Sequence, residues 1–239
     1  MIEADKWKYF LMENSNPEKI KILSSFFKTG KGQYGEGDIF IGLTVPCNRK
    51  IAEQFYEENF DVIKILLHDP IHEFRLSALL ALVKKYKKVK NEEDKSRIIN
   101  FYLSNTRYIN NWDLVDLSCP YLLGQHLINH SREILNQLSE SKNMWEQRIA
   151  IVSTITLIRN GLFEPTLELC DKYINHTHDL IHKASGWMLR EIGKKDKSVL
   201  KEYLVARAQQ MPRTALRYAI ERLSPEDRKH YLNLPRLQL

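Results

Sequence analysis

Cysteine is scarce and scattered in this chain of 239 residues: Cys47, Cys119 and Cys170 are the only ones, and no Cys-x-x-Cys pair occurs. An odd, dispersed set supports neither a disulfide framework nor a thiolate zinc site, and it fits a reducing compartment. Glycine is sparse too, and five of the nine fall between Gly30 and Gly42, which concentrates loop structure there. No apolar run reaches the length of a membrane span. Met1 to Phe10 is charged and lacks the apolar centre of a secretion signal. A soluble, cytoplasmic protein without a membrane partner is therefore expected. Period-2 alternation is missing, so no strands are expected. Short catalytic signatures are missing as well. Gly30-Lys31-Gly32 lacks the spacing of a phosphate loop and follows no strand. There is no His-Glu-x-x-His and no Gly-x-Ser-x-Gly elbow. His68 with His72, and His176 with His178, form no recognised metal-ligand pattern, so neither a metal nor an organic cofactor is expected.

What remains is rich in apolar and charged residues. The hydrophobic share is 43%, enough for a sizeable core. The chain carries 36 Lys and Arg against 30 Asp and Glu, a net +6; this basic excess permits a polyanionic partner without requiring one. Helical periodicity fills nearly the whole length. Helices are expected at 3–13, 17–28, 46–57, 59–67, 71–89, 92–105, 112–130, 132–141, 143–160, 164–175, 178–194, 197–210 and 212–223. Asn16-Pro17 supplies a cap and a first-turn proline. Asp69-Pro70, Asn110-Asn111, Asn160-Gly161, Pro212 and Ser224-Pro225 supply the breaks. Gly30 to Pro46 reads as one long ordered loop.

The helices recur in pairs. Similar helix openings fall at Arg75, Trp112, Arg148, Lys183 and Arg217, in steps of 37, 36, 35 and 34 residues. A two-helix unit at about 35–40 residues marks an α-solenoid close to the HEAT range. The expected fold is thus all-α, a single HEAT-like superhelix over residues 1–239.

Asn111-Trp112-Asp113-Leu114-Val115-Asp116 stands out in this register. Trp112 and Asp116 are four apart and share a helix face. Taken alone, Trp112 could be core and the acids could serve the helix start. Asp116 and Trp187, however, are 71 residues apart, two repeats, so both are expected on one concave face with Trp112 and Arg148. Asp113 is expected to act mainly through helix-start electrostatics. Arg148, Lys183, Arg190, Arg213 and Arg217 recur at helix starts or one turn in and are candidate phosphate contacts, although each alone could be a solvated charge. The lysines from Lys84 to Lys90 end a helix and suit its dipole. Indoles attract cations, and a carboxylate stabilises positive charge growing on a sugar. Together they suit cleavage of an N-glycosidic bond to a cationic, alkylated purine.

At these residues the chain resembles the AlkD-type DNA alkylation repair glycosylases, a HEAT-like-repeat family. Asn111 to Asp116, Trp145-Glu146-Gln147-Arg148 and Lys183 to Glu191 carry the resemblance, and Phe40 to Pro46 adds to it; it spans about residues 15–225. It implies a curved helical solenoid holding duplex DNA, cofactor-free release of N3- and N7-alkylated purines, and action as a monomer. It implies that Asp116 is the catalytic carboxylate, that Trp112 and Trp187 contact the lesion's deoxyribose, and that Arg148 and Arg190 match backbone-contacting or site-organising positions. Phe26 or Phe27 stands where the family can place a DNA-facing tyrosine, so the contact of that hydroxyl is lost. A non-enzymatic repeat scaffold binding DNA or protein on the same face remains the alternative, with an RNA-binding repeat protein behind it.

Overall fold

The computed structural model describes residues 3–236. Among these residues the fold is all-helical: fifteen α-helices, one 3₁₀ turn at Thr106–Tyr108, an isolated bridge between Ile39 and Ile71, and no strand. None of these helices is long and apolar enough to cross a membrane. The chain divides into two compact units, Met1–Ser118 and Cys119–Leu239.

The first unit holds α1 (Glu3–Glu13), α2 (Pro17–Phe26), α3 (Val45–Ala52), α4 (Phe60–Leu67), α5 (His72–Lys88), α6 (Glu92–Leu103) and α7 (Trp112–Asp116). Its axis is α5, which packs against α1, α3, α4, α6 and α7. Every residue from His72 to Val83 is buried. A stretch with no solvent face must find partners for its polar groups inside the protein, and most of those at the start of α5 have them, although Arg75 Nε has none. Ser77 accepts the Trp7 indole N–H at 2.9 Å. The Glu73 carboxylate accepts the backbone N–H groups of Ile41, Gly42 and Leu43 at 2.9–3.2 Å. That carboxylate pins the non-helical segment between α2 and α3 onto the start of α5. The segment also passes so close to the α2 cap that a side chain at Gly42 would not fit. A Cβ there would lie 1.9 Å from the Asn16 carbonyl oxygen, and φ is +84°.

The second unit holds α8 (Leu123–His126), α9 (Glu133–Ser139), α10 (Met144–Arg159), α11 (Glu164–Lys172), α12 (Asp179–Lys195), α13 (Lys197–Arg207), α14 (Arg213–Ala219) and α15 (Pro225–Asn233). Here α10 is the buried axis, solvent-free from Arg148 to Ile158, and α12 packs between α10 and α14. Gly186 permits the α12–α14 approach, since a Cβ on it would sit 2.3 Å from the Ala215 carbonyl oxygen.

Most expected helices are present to within a few residues, but three expectations need correction. The helix expected over 112–130 stops at Asp116. Ser118 Oγ donates to the Leu114 carbonyl at 2.5 Å, and Pro120 disfavours helix at Cys119. The helix expected over 46–57 stops at Ala52, because the Lys85 ammonium gathers the carbonyls of Tyr56, Glu57 and Glu58 at 3.0–3.3 Å. Ser224-Pro225, read as a break, is also a beginning: Ser224 caps α15 and Pro225 takes its first turn.

Gly42→Ala should therefore be severely destabilising. The left-handed backbone costs roughly 1–2 kcal/mol, and the contact with Asn16 adds to it, for a total of about 3 kcal/mol. Urea unfolding should show a lower midpoint with an unchanged slope; an unchanged midpoint would contradict this account of the loop.

Candidate functional site

Helix α7 is only five residues long, and its side chains divide sharply. Asp113, Leu114 and Val115 are buried, while Trp112 and Asp116 are half-buried. Asn111 sets the entry, accepting the Trp112 N–H at 2.9 Å. The expected pairing of Trp112 and Asp116 one turn apart is thus present, on a cleft of about 430 Å³.

The cleft is walled by rings. Phe27 stacks on Trp112 at 5.1 Å and 16° between planes, and on Phe40 at 5.0 Å and 18°. Phe40 stacks in turn on the His72 imidazole at 4.5 Å. Phe26 meets Trp112 edge-on at 5.6 Å and is 59% exposed. Leu43, Val45 and Pro46 continue the wall. Phe26 or Phe27 is expected at the DNA-facing tyrosine position, and the structure separates the two. Phe27 is buried as the middle of the stack. Phe26 is the exposed ring.

Behind the rings lies a charged group that the sequence pattern did not reveal. His72, buried at the start of α5, contacts Asp113 Oδ2 through Nε2 at 2.8 Å and Asp38 Oδ2 through Nδ1 at 3.0 Å. Asp38 also accepts from Arg75 Nη2 at 2.5 Å and from Asn111 Nδ2 at 3.0 Å. Burial alone would push the His72 pKa down. The Asp113 charge and hydrogen bond, with those of Asp38, outweigh it and raise the pKa to about 9. Burial likewise pushes the Asp38 carboxyl up, but the His72 hydrogen bond, the Arg75 charge and Asn111 together hold it below the usual carboxylate range. At neutral pH His72 is an imidazolium donating from both nitrogens. Asp113 is therefore a buried member of this cluster, facing His72 as well as the helix start. His72 and His68, weighed above as a metal pair, have separate partners: His68 Nε2 meets Asn105 Oδ1 at 2.7 Å and its ring stacks on Tyr108.

The remaining candidates sit in the second unit. Arg148 is 5% exposed and donates to the Leu180 carbonyl at 2.7 Å. It ties α10 to α12. Trp187 is half-buried and donates to Glu191 Oε1 at 3.2 Å. Lys183 pairs with Asp179 at 2.8 Å, and Arg190 pairs with Glu221. Arg213 donates to the Leu232 carbonyl at 2.7 Å. Arg217 is exposed. The structure thus brings Trp112, Asp116, Phe26 and Phe27 together, and spreads the basic candidates along α10, α12 and α14.

The family model described as DNA alkylation repair enzyme matches residues 9–223. No curated protein sequence matches. A solved structure titled as a predicted DNA alkylation repair enzyme from Enterococcus faecalis is similar in fold, with a TM-score of 0.69 and 17% identity over 89% of this chain and 98% of its own.

The raised His72 pKa makes folding stability fall with alkali. The imidazolium's contribution is complete below about pH 6.5, the ordinary histidine value, and is lost as pH rises through about 9. The loss is on the order of 3 kcal/mol. Denaturant unfolding from pH 6 to 10 should show it, and His72→Gln should flatten the slope; parallel curves for the two proteins would contradict the assignment.

Proposed function

The chain belongs to the DNA alkylation repair enzyme family, and from that premise we propose that it is a DNA glycosylase hydrolysing the N-glycosidic bond of N3- or N7-alkylated purines in duplex DNA. The pairing of the half-buried Asp116 carboxylate with the Trp112 indole, on a cleft walled mainly by aromatic and aliphatic side chains, supports this function most directly. In such low-polarity surroundings a carboxylate acts strongly on a nearby developing charge. The spacing of helix openings supports a HEAT-like α-solenoid as the fold. The assignment of Trp187 to the lesion's sugar rests on sequence register, two repeats beyond Asp116.

An alkylated purine is already cationic, so it needs little help to leave. As the C1′–N bond breaks, its electron pair passes to the base, which departs neutral, and positive charge builds on the deoxyribose. Asp116 stabilises that charge, and the Trp112 face favours it as well. A water oxygen bonds to C1′ while its proton passes to Asp116 and on to solvent. The products are free alkylpurine and an abasic site. Trp112 holds its ring orientation because Phe27 stacks behind it. The exposed Phe26 is suited to apolar contact with the nucleotide beside the lesion. Arg190, Lys183, Arg213 and Arg217 supply phosphate contacts, with the present carboxylate and carbonyl partners of the first three exchanged for phosphate oxygens.

Asp116→Asn keeps shape and removes charge. Single-turnover release of 7-methylguanine from duplex DNA should drop about a hundredfold, about 3 kcal/mol in barrier, while duplex affinity changes little. The exposed Asp61→Asn, on α4, should leave release intact. A folded Asp116→Asn protein with the parent rate, or a parent protein releasing no base, would favour a non-catalytic DNA-binding scaffold. Duplex affinity should also fall steeply with salt, and Arg217→Ala should weaken damaged and undamaged duplex alike; salt-independent affinity would remove the phosphate contacts.

A further inference from the structure

We infer that His72 is a positioning residue for this reaction: by donating to Asp38 and Asp113 together, it ties the loop that carries Phe40 to the helix that carries Trp112 and Asp116. The inference rests on the glycosylase function and deepens it.

Five residues are too few for α7 to hold its own geometry, because a helix this short is barely past nucleation. Its orientation must come from outside, and both residues at its entry reach the same cluster. Asn111 Nδ2 donates to Asp38 at 3.0 Å, and Asp113 Oδ2 accepts from His72 at 2.8 Å. His72 is fixed in turn. It starts the buried α5, its backbone N–H donates to the Ile39 carbonyl at 2.8 Å, and Phe40 and Phe27 cover its ring at 4.5 and 5.0 Å. Glu73, the next residue, holds Ile41, Gly42 and Leu43. Two adjacent residues of α5 therefore fix the loop wall, and one of them also fixes α7.

The clamp works only while His72 carries both protons. A neutral imidazole has one N–H, so either Asp38 or Asp113 would lose its donor and face a ring lone pair instead. The charged groups around His72 are Asp38 from the loop, Asp113 from α7, and Arg75 and Glu73 from α5; Asp116 and Lys19 line the same cleft. With Arg75 and the imidazolium against Asp38 and Asp113, that inner group of four is neutral. Loss of the His72 proton leaves it with a net negative charge behind Trp112. Asp116 acts on a charge that exists only in the transition state, so a small misplacement of α7 should cost rate rather than DNA binding.

The test is the pH profile of single-turnover 7-methylguanine release, corrected for release without protein, measured alongside affinity for undamaged duplex. The parent rate should hold to about pH 8 and fall across the histidine's raised pKa, about 9, with affinity unchanged. His72→Gln should lower the rate about tenfold or more at neutral pH and remove the alkaline fall, with affinity kept within about twofold. If His72→Gln does not fold, Asp38→Asn provides the second arm: removing one carboxylate lowers the His72 pKa and should move the alkaline fall to lower pH. An active parent whose rate is flat to pH 10, or a folded His72→Gln protein with the parent rate and profile, overturns the positioning role and leaves the glycosylase function standing. A parent protein that releases no base overturns both.

Discussion

A protonated imidazole buried between two carboxylates is the constraint on which the first unit of this protein depends. Taking His72, Asp38 and Asp113 out of water costs several kcal/mol per ion, and mutual attraction repays it only when every donor and lone pair is used. Here most of them are used, although Arg75 Nε has no partner. Both ring nitrogens donate, Arg75 and Asn111 fill the remaining positions on Asp38, and Asp113 also accepts the Leu114 N–H at 2.8 Å. Breaking such a group by removing one partner is far more costly than the group is stabilising, which makes it a device for specifying geometry rather than for adding stability.

What it specifies is the wall of one cleft. The glycine-rich segment between α2 and α3 has no helix or strand to hold it, and α7 has one turn. Each would be mobile alone. Glu73 and His72, side by side on a helix with no solvent face, hold both. The rings then stack in sequence from His72 through Phe40 and Phe27 to Trp112. Offset ring contacts of this kind add about 0.5–1.5 kcal/mol per pair beyond burial. Phe26 is exposed, and Trp112 and Asp116 are half-buried, at the outer end of the assembly.

The helices and the Trp112–Asp116 face were legible in the sequence, because caps, prolines and 3.6-residue periodicity are local signals. The inner cluster was not. Its members are joined across 34 and 41 residues of chain, and nothing in the spacing of Asp38, His72 and Asp113 distinguishes them from surface acids and a lone histidine. One signal was present: His72, Glu73 and Arg75 open an otherwise apolar stretch, and three ionisable residues heading a buried helix require partners. Arg148 shows the complementary case. A cation at a helix start suggests phosphate, whereas here the approach of α12 gives it a carbonyl to cap. The helix expected over 112–130 ends at Asp116, ahead of the stop that Cys119-Pro120 supplies.

The ring nitrogens of His72 offer the most direct test of this account. Nitrogen-15 chemical shifts recorded from pH 6 to 10 should place Nδ1 and Nε2 both in the protonated range at neutral pH, moving together only near pH 9. A neutral ring at pH 7, with one nitrogen bare, would contradict the clamp between Asp38 and Asp113 and with it the account of how Trp112 and Asp116 are held.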